Sequence, residues 1–162
     1  MEASSTASSE TDARIVLRED LVLLHMKSTE AIEAIRELSN LLSCAPEVTH
    51  LGAVRLAITR REMVESTGIG SGVAIPHAHS PYVQSLVICV GISPEGIDFR
   101  SPDGQPVHVV VLICAPKRAF QGYLKLLSDL SRILIQKEIR RALINAQSEE
   151  DVVRIMCDLP LL

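Results

Sequence analysis

Five histidines, His25, His50, His77, His79 and His108, offer the side chains best suited to chemistry near neutral pH. An imidazole titrates close to neutrality and can serve as base, nucleophile or metal ligand. His77 differs from the others in what leads up to it. The glycine-rich stretch Thr67-Gly68-Ile69-Gly70-Ser71-Gly72 is followed by Val73-Ala74-Ile75 and then by Pro76. Proline fixes its own backbone and restricts the residue before it, so His77 emerges from a rigid element. The glycines let another molecule approach the backbone closely. The plain alternative is a turn that carries a surface histidine.

His77 and His79 also raise a metal reading, because residues two apart on an extended segment point the same way. A third ligand would be needed from His108 or a cysteine, and no spacing selects one. Cys44, Cys89, Cys114 and Cys157 are widely separated and form no C-x-x-C pair, which argues against metal fingers and redox motifs. Cys89 and Cys114 lie in apolar runs and read as buried thiols, whereas a cysteine nucleophile needs an exposed thiolate. The glycine stretch lacks the Lys-Ser/Thr of a phosphate-binding P-loop, and there is no G-x-S-x-G elbow. We expect no metal and no cofactor.

The elements that position these residues follow from hydrophobic periodicity. Ser28 is the expected N-cap of a first helix, with Ala31, Ile35, Leu38 and Leu42 on one face and a stop before Pro46. Leu51, Val54 and Ile58 predict a second helix running toward Arg60-Arg61-Glu62. Three glycines in Thr67–Gly72 predict a stretch without regular structure, followed by a short strand at Val73–Ile75. Leu86–Ile92 and Val107–Ala115 read as strands covered on both faces. Beyond Pro116, Leu124, Leu127, Leu130, Leu134 and Ile135 suit one long amphipathic helix, and Ile139, Leu143 and Ile144 a shorter one. Ser148-Glu149-Glu150-Asp151 has the form of a capping box that opens a last helix. The expected fold is α/β: a central mixed β-sheet with helices packed on both faces, one compact domain over residues 13–162, preceded by a flexible tail over residues 1–12.

Composition narrows the function further. The 162-residue chain is 47% hydrophobic but only 2% aromatic, so it cannot build the stacking platforms of single-stranded nucleic-acid binders. Sixteen Lys and Arg against 20 Asp and Glu give a net charge of −4, which provides no global basic field. No nucleic-acid partner is expected. The start MEASSTASSETD has no secretory character, and no apolar run approaches the roughly 20 residues that span a bilayer. A cytoplasmic protein without membrane insertion is the expectation.

The segment from Arg61 to His77, Arg-Glu-Met-Val-Glu-Ser-Thr-Gly-Ile-Gly-Ser-Gly-Val-Ala-Ile-Pro-His, resembles the signature of the fructose/mannitol/nitrogen-regulatory (type 2) enzyme IIA domains of the bacterial phosphotransferase system (PTS EIIA). The resemblance extends to the Ser-Thr-Glu-Ala-Ile-Glu-Ala-Ile helix, to Asp103-Gly104-Gln105-Pro106-Val107 with its strand, and to the closing Ser148-Glu149-Glu150-Asp151 helix, about residues 17–158 in all. It implies a phosphoryl carrier. His77 would accept phosphate from phospho-HPr, an HPr-like phosphocarrier protein, or from its nitrogen-branch counterpart. It would then pass the group to a IIB domain or hold it as a signal to regulatory target proteins.

Arg61 matches the signature arginine and would hold phosphoryl oxygens, with backbone donors near Ser71 and Gly72 in support. The family usually places a second histidine at the start of the long helix, where this chain has Tyr123. Tyrosine donates a hydrogen bond but cannot become cationic. His79 stands where a basic residue is common near the site, which implies a role in phosphate or partner recognition, the plain alternative being a solvent-exposed histidine; His108 lies at a position variable in the family. Ile69, Val73 and Tyr82 are candidates for an apolar docking patch.

A free-standing domain with no fused IIB or permease segment favours the nitrogen-regulatory branch over a sugar-specific one. The alternative function is a non-catalytic regulatory module with impaired phosphotransfer, motivated by Tyr123.

Overall fold

The computed structural model describes residues 14–161, so the expected tail over residues 1–12 lies outside the described residues. In chain order the strands are β1 (Ile15–Val16), β2 (Val22–Leu23), β3 (Gly68–Gly70), β4 (Val73–Ala74), β5 (His77–Ser80), β6 (Leu86–Ile97) and β7 (Val107–Pro116). The helices are α1 (Ala31–Ser39), α2 (Leu51–Val64), α3 (Phe120–Leu134), α4 (Lys137–Ile144) and α5 (Glu149–Cys157).

The nearly unbroken aliphatic runs of β6 and β7 form the centre of the sheet. They pair antiparallel from Val87↔Cys114 to Ile92↔Val109, and a register shift then brings Ile97 opposite Val107. The order is β1-β6-β7-β4-β3, with β2 also on β6 and β5 also on β7. β1 and β2 run parallel to β6, β4 and β5 run parallel to β7, and β3 is antiparallel to β4. The sheet is therefore mixed, as expected.

Side-chain alternation along β7 builds two cores. Val110, Leu112 and Cys114 face α1 and α2, where Ala34, Ile35, Leu38, Val54 and Ile58 meet them. Val109, Val111, Ile113 and Ala115 face Leu126, Leu130 and Leu134 of α3, Leu143 of α4, and Val152 and Met156 of α5. Each fully buried aliphatic side chain contributes roughly 1.5–3 kcal/mol, against about 0–1 kcal/mol for surface ion pairs such as Arg154–Asp151. Burial on both faces of the sheet therefore dominates stability.

Several local expectations are corrected. α1 is not capped by Ser28: its N-cap is Glu30, and the Ser28 N–H and hydroxyl donate to the Glu37 carboxylate instead. The Ala31 N–H is taken by the Asp98 carbonyl, so tertiary pairing replaces a side-chain cap. α2 is capped by His50, whose Nδ1 accepts from the Ala53 N–H at 3.1 Å. On α3 the buried face is Tyr123, Leu126, Leu130, Ile133 and Leu134, while Leu124 and Ile135 are each 44% exposed. The Ser148 cap of α5 is present, with its hydroxyl accepting from Asp151 N–H at 3.1 Å.

The Gly68–Gly72 stretch, expected to lack regular structure, forms a hairpin between β3 and β4. Gly70, Ser71 and Gly72 all take positive φ (87°, 57° and 78°), and the paired positive φ at Ser71 and Gly72 gives the backbone hand that suits a tight antiparallel turn. Among the described residues no helix is long and apolar enough to cross a membrane.

Candidate functional site

His77 opens β5, opposite Ile113 of β7 in a parallel register. Two backbone bonds hold the approach: Ile75 N–H to Thr67 O at 3.0 Å, and Ile113 N–H to Pro76 O at 2.9 Å. The imidazole then folds back on its own strand, with Nδ1 2.7 Å from the Ile75 carbonyl. A carbonyl oxygen only accepts, so Nδ1 carries the proton and the neutral ring leaves its lone pair on Nε2. Burial is the main influence on this ring and lowers its proton affinity. The Ile75 hydrogen bond opposes that, nearby Arg61 and His79 add to it, and the outcome lies below the ordinary 6.5. Half-buried His77 therefore presents a neutral, directed nitrogen at neutral pH.

Aromatic side chains flank it. Tyr123, buried in the first turn of α3, sets its ring edge-on to His77, with centroids 5.9 Å apart and planes at 60°. The same ring lies parallel to His79, at 6.0 Å and 8°, and Phe120 lies beside both, 5.8 Å from His79 and 6.5 Å from Tyr123. Burial pushes the Tyr123 hydroxyl up to about 12, so it stays a neutral donor throughout the physiological range. His79 is exposed and lies two residues along β5 from His77, on the same face.

Arg61 reaches this cluster from the last turn of α2, near enough for its charge to act on both His77 and Tyr123. Its Nη1 donates to the Glu65 carbonyl at 2.8 Å, which ties the guanidinium to the end of its own helix. Glu62, which sequence reasoning did not single out, anchors that helix end. It is 7% exposed, and its carboxylate accepts from the Thr67 N–H at 3.1 Å and from the Thr67 hydroxyl. A carboxylate five residues before the threonine that opens a glycine stretch was the available signal.

Not every candidate is brought together. Ser71 and Gly72 occupy the hairpin tip, where the Gly72 carbonyl accepts from His108 and Val109 at the start of β7. His77 lies opposite Ile113, four residues further along β7 and so roughly 13 Å away. The Ser71 N–H is moreover already given to Asp103 at 2.8 Å. The structure therefore does not bring these backbone donors to His77. His108 is at the same remote end, with Nδ1 2.8 Å from the Ser93 carbonyl. Of the proposed docking patch, Val73 is fully buried and Ile69 packs on the core. Tyr82 is 43% exposed and packs against His50 instead. The exposed apolar side chains next to the site residues in sequence are Met63 and Val64 on α2 and Phe120 and Leu124 on α3. Among the described residues, no group of three His, Cys, Asp or Glu is arranged to hold a metal.

Comparison with known proteins finds relatives of this chain and fold. Residues 15–158 match the family described as phosphoenolpyruvate-dependent sugar phosphotransferase system, EIIA 2. A fructose-specific EIIABC component of the phosphotransferase system from Bacillus subtilis is 38% identical over 87% of this chain, a match that spans 22% of that longer protein. A fructose-specific EIIA component from Haloferax volcanii is 30% identical over 92% of this chain and 97% of its own length. The crystal structure of nitrogen regulatory protein IIA-Ntr from Neisseria meningitidis superposes with a TM-score of 0.80 at 30% identity, covering 87% of this chain and 96% of that one.

Proposed function

The chain belongs to the type 2 EIIA family of the phosphoenolpyruvate-dependent phosphotransferase system, and from that premise we propose that it is a phosphoryl carrier whose acceptor atom is Nε2 of His77. The observation that carries the proposal is the hydrogen bond from Nδ1 to the Ile75 carbonyl, which leaves Nε2 as the free lone pair. The donor is a phosphohistidine on an HPr-like protein. The Nε2 lone pair forms the new P–N bond as the donor's P–N bond breaks, and that electron pair returns to the donor nitrogen. Each imidazole keeps the proton on its other ring nitrogen, Nδ1 in the case of His77, so no net proton moves.

Little covalent machinery is required. Phosphoryl transfer needs in-line approach and charge stabilisation on the equatorial oxygens. Arg61 supplies a fixed cation with fork-shaped donors for those oxygens. A lowered proton affinity keeps His77 nucleophilic at neutral pH, and the resulting P–N bond is labile enough to pass on.

The neutral hydroxyl of Tyr123 supports a second reading, a regulatory module that binds partners through the same face with impaired transfer. Incubation with phosphoenolpyruvate, enzyme I and HPr separates the two. The carrier acquires one acid-labile phosphate, which disappears in His77→Ala. A wild-type protein that stays unlabelled with both the sugar-branch and nitrogen-branch donors refutes it. Onward transfer distinguishes the branches: a fructose-type IIB domain drains the label from a sugar carrier, while a nitrogen-regulatory protein retains it.

A further inference from the structure

We propose that the cavity between the start of α1, the end of α2 and the loop after β6 binds an aliphatic polyamine, a flexible chain that carries separated ammonium groups. The site is distinct from the one built around His77 and stands apart from the carrier reading.

The cavity has a volume of about 630 Å³, within the range of roughly 300–1,000 Å³ common to small-molecule sites. Four carboxylate residues belong to its lining: Glu30 and Asp98, which are partners in a backbone bridge, and Glu62 and Glu65 from the end of α2. Among the described residues Arg100 is the one cation of the lining, and the positive end of α1 adds about half a charge. Together these offset less than half of the four negative charges, so the lining favours a cation.

Among the described residues none of the four carboxylates is in an ion pair. Glu62 carries the argument furthest. It is 7% exposed, and Thr67 supplies it with hydrogen bonds but with no charge. A buried carboxylate is costly without a counter-ion, and the cavity that Glu62 lines is where one can enter.

The form of the cation follows from how the charges are spread. Among the described residues no three Asp, Glu, His or Cys are grouped to hold a metal ion. Two pairs of carboxylates carried by different elements suit two ammonium groups joined by methylenes instead. The lining also holds Ile32, Phe99 and the 74% exposed Met63, against which those methylenes can lie. Glu65 connects the cavity to the transfer site, since its carbonyl accepts from Arg61 Nη1 at 2.8 Å.

The test is calorimetric titration of the full chain with spermidine as the probe, at low ionic strength and with no phosphoryl donor present. One spermidine should bind per chain. Glu30→Gln, Glu65→Gln and Asp98→Asn should each weaken binding about two- to fivefold, and the triple variant by on the order of tenfold or more, as expected for ion pairs within reach of solvent. Arg100→Gln removes the competing cation and should tighten binding about twofold. Glu149→Gln with Glu150→Gln, exposed on α5, is the control and should leave the affinity unchanged. In wild type the amide resonances of Ile32, Glu65 and Arg100 should shift as spermidine is added, a readout that needs no variant.

No heat and no shifts up to about 10 mM spermidine, a triple variant that binds as tightly as wild type, or an equal loss in the α5 control overturns the site. Weaker binding by Arg100→Gln would mark an anion site and overturns it as well. Displacement of spermidine by an equal concentration of magnesium overturns the polyamine assignment.

Discussion

Glu62→Ala tests how Arg61 is held in place. The Glu62 carboxylate is 7% exposed and takes two hydrogen bonds from Thr67, itself 5% exposed. A hydrogen bond to a charged acceptor contributes about 1.5–3 kcal/mol net, and a buried N–H left unpaired costs about 1–3 kcal/mol. Removing the side chain also relieves the desolvation of a buried carboxylate, which offsets part of the loss. The expected destabilisation is about 3 kcal/mol. At about 2–4 °C per kcal/mol for a domain of this size, that lowers Tm by about 6–12 °C.

Urea unfolding measures the free energy, with an unchanged slope showing that the same surface is exposed in both proteins. Glu62→Gln retains one acceptor for the Thr67 N–H and should lose roughly half as much. Because Glu62 and Arg61 are neighbours in the last turn of α2, the alanine variant should also slow His77 phosphorylation under conditions where it remains folded. A loss below about 1 kcal/mol, or full transfer activity in the alanine variant, refutes the claim that the Glu62–Thr67 tie positions the guanidinium.

Two further outcomes follow from buried groups elsewhere. Burial, foremost, holds the His77 proton affinity below the ordinary 6.5, so as pH falls through that value the unfolded chain takes up the proton first and stability drops until the folded ring titrates too. The stability difference between wild type and His77→Ala should therefore shift against wild type between about pH 7 and pH 5, and a pH-independent difference contradicts this. Cys44 and Cys157 are exposed, whereas Cys89 and Cys114 are buried and the Cys114 thiol is pushed up to about 12. Mass spectrometry should find two maleimide adducts on the folded protein and four after denaturation, and a third adduct in the native state would contradict the core assignment.

Much of this fold is legible from side-chain pattern alone. The runs in β6 and β7 are long enough to read, and Ser148 opens a helix by a capping pattern that depends only on nearby residues. β1 and β2 are two residues each, too short for periodicity to register, and exist only because β6 offers an edge. β5 follows a proline that looks like a terminator, and only its pairing with β7 shows that the strand resumes. His50 as the cap of α2 also escapes pattern reading, since an imidazole is not among the preferred cap side chains.

The site divides in the same way. His77 stands out by its local context. Ser71 and Gly72 are near His77 along the chain but not in space, because an extended strand carries the chain about 3.3 Å further with every residue. Glu62 escapes pattern reading because a glutamate near a helix end ordinarily faces water, and only the contact with Thr67 reveals otherwise.

The tight turn at Ser71 and Gly72 bears on function through arithmetic rather than contact. β4 and β5 carry two sets of side chains by parity: Ala74 and Ala78 go into the core shared with α1 and α2, while Val73 and Ile75 go into the core shared with α3. His77 and His79 inherit the odd parity and so meet Tyr123. One residue inserted between Gly72 and His77 would exchange the two sets and send both imidazoles toward α2. Two would restore the face but carry the nucleophile about 7 Å past Tyr123. The length of this segment is thus as much a part of the transfer site as any side chain it delivers.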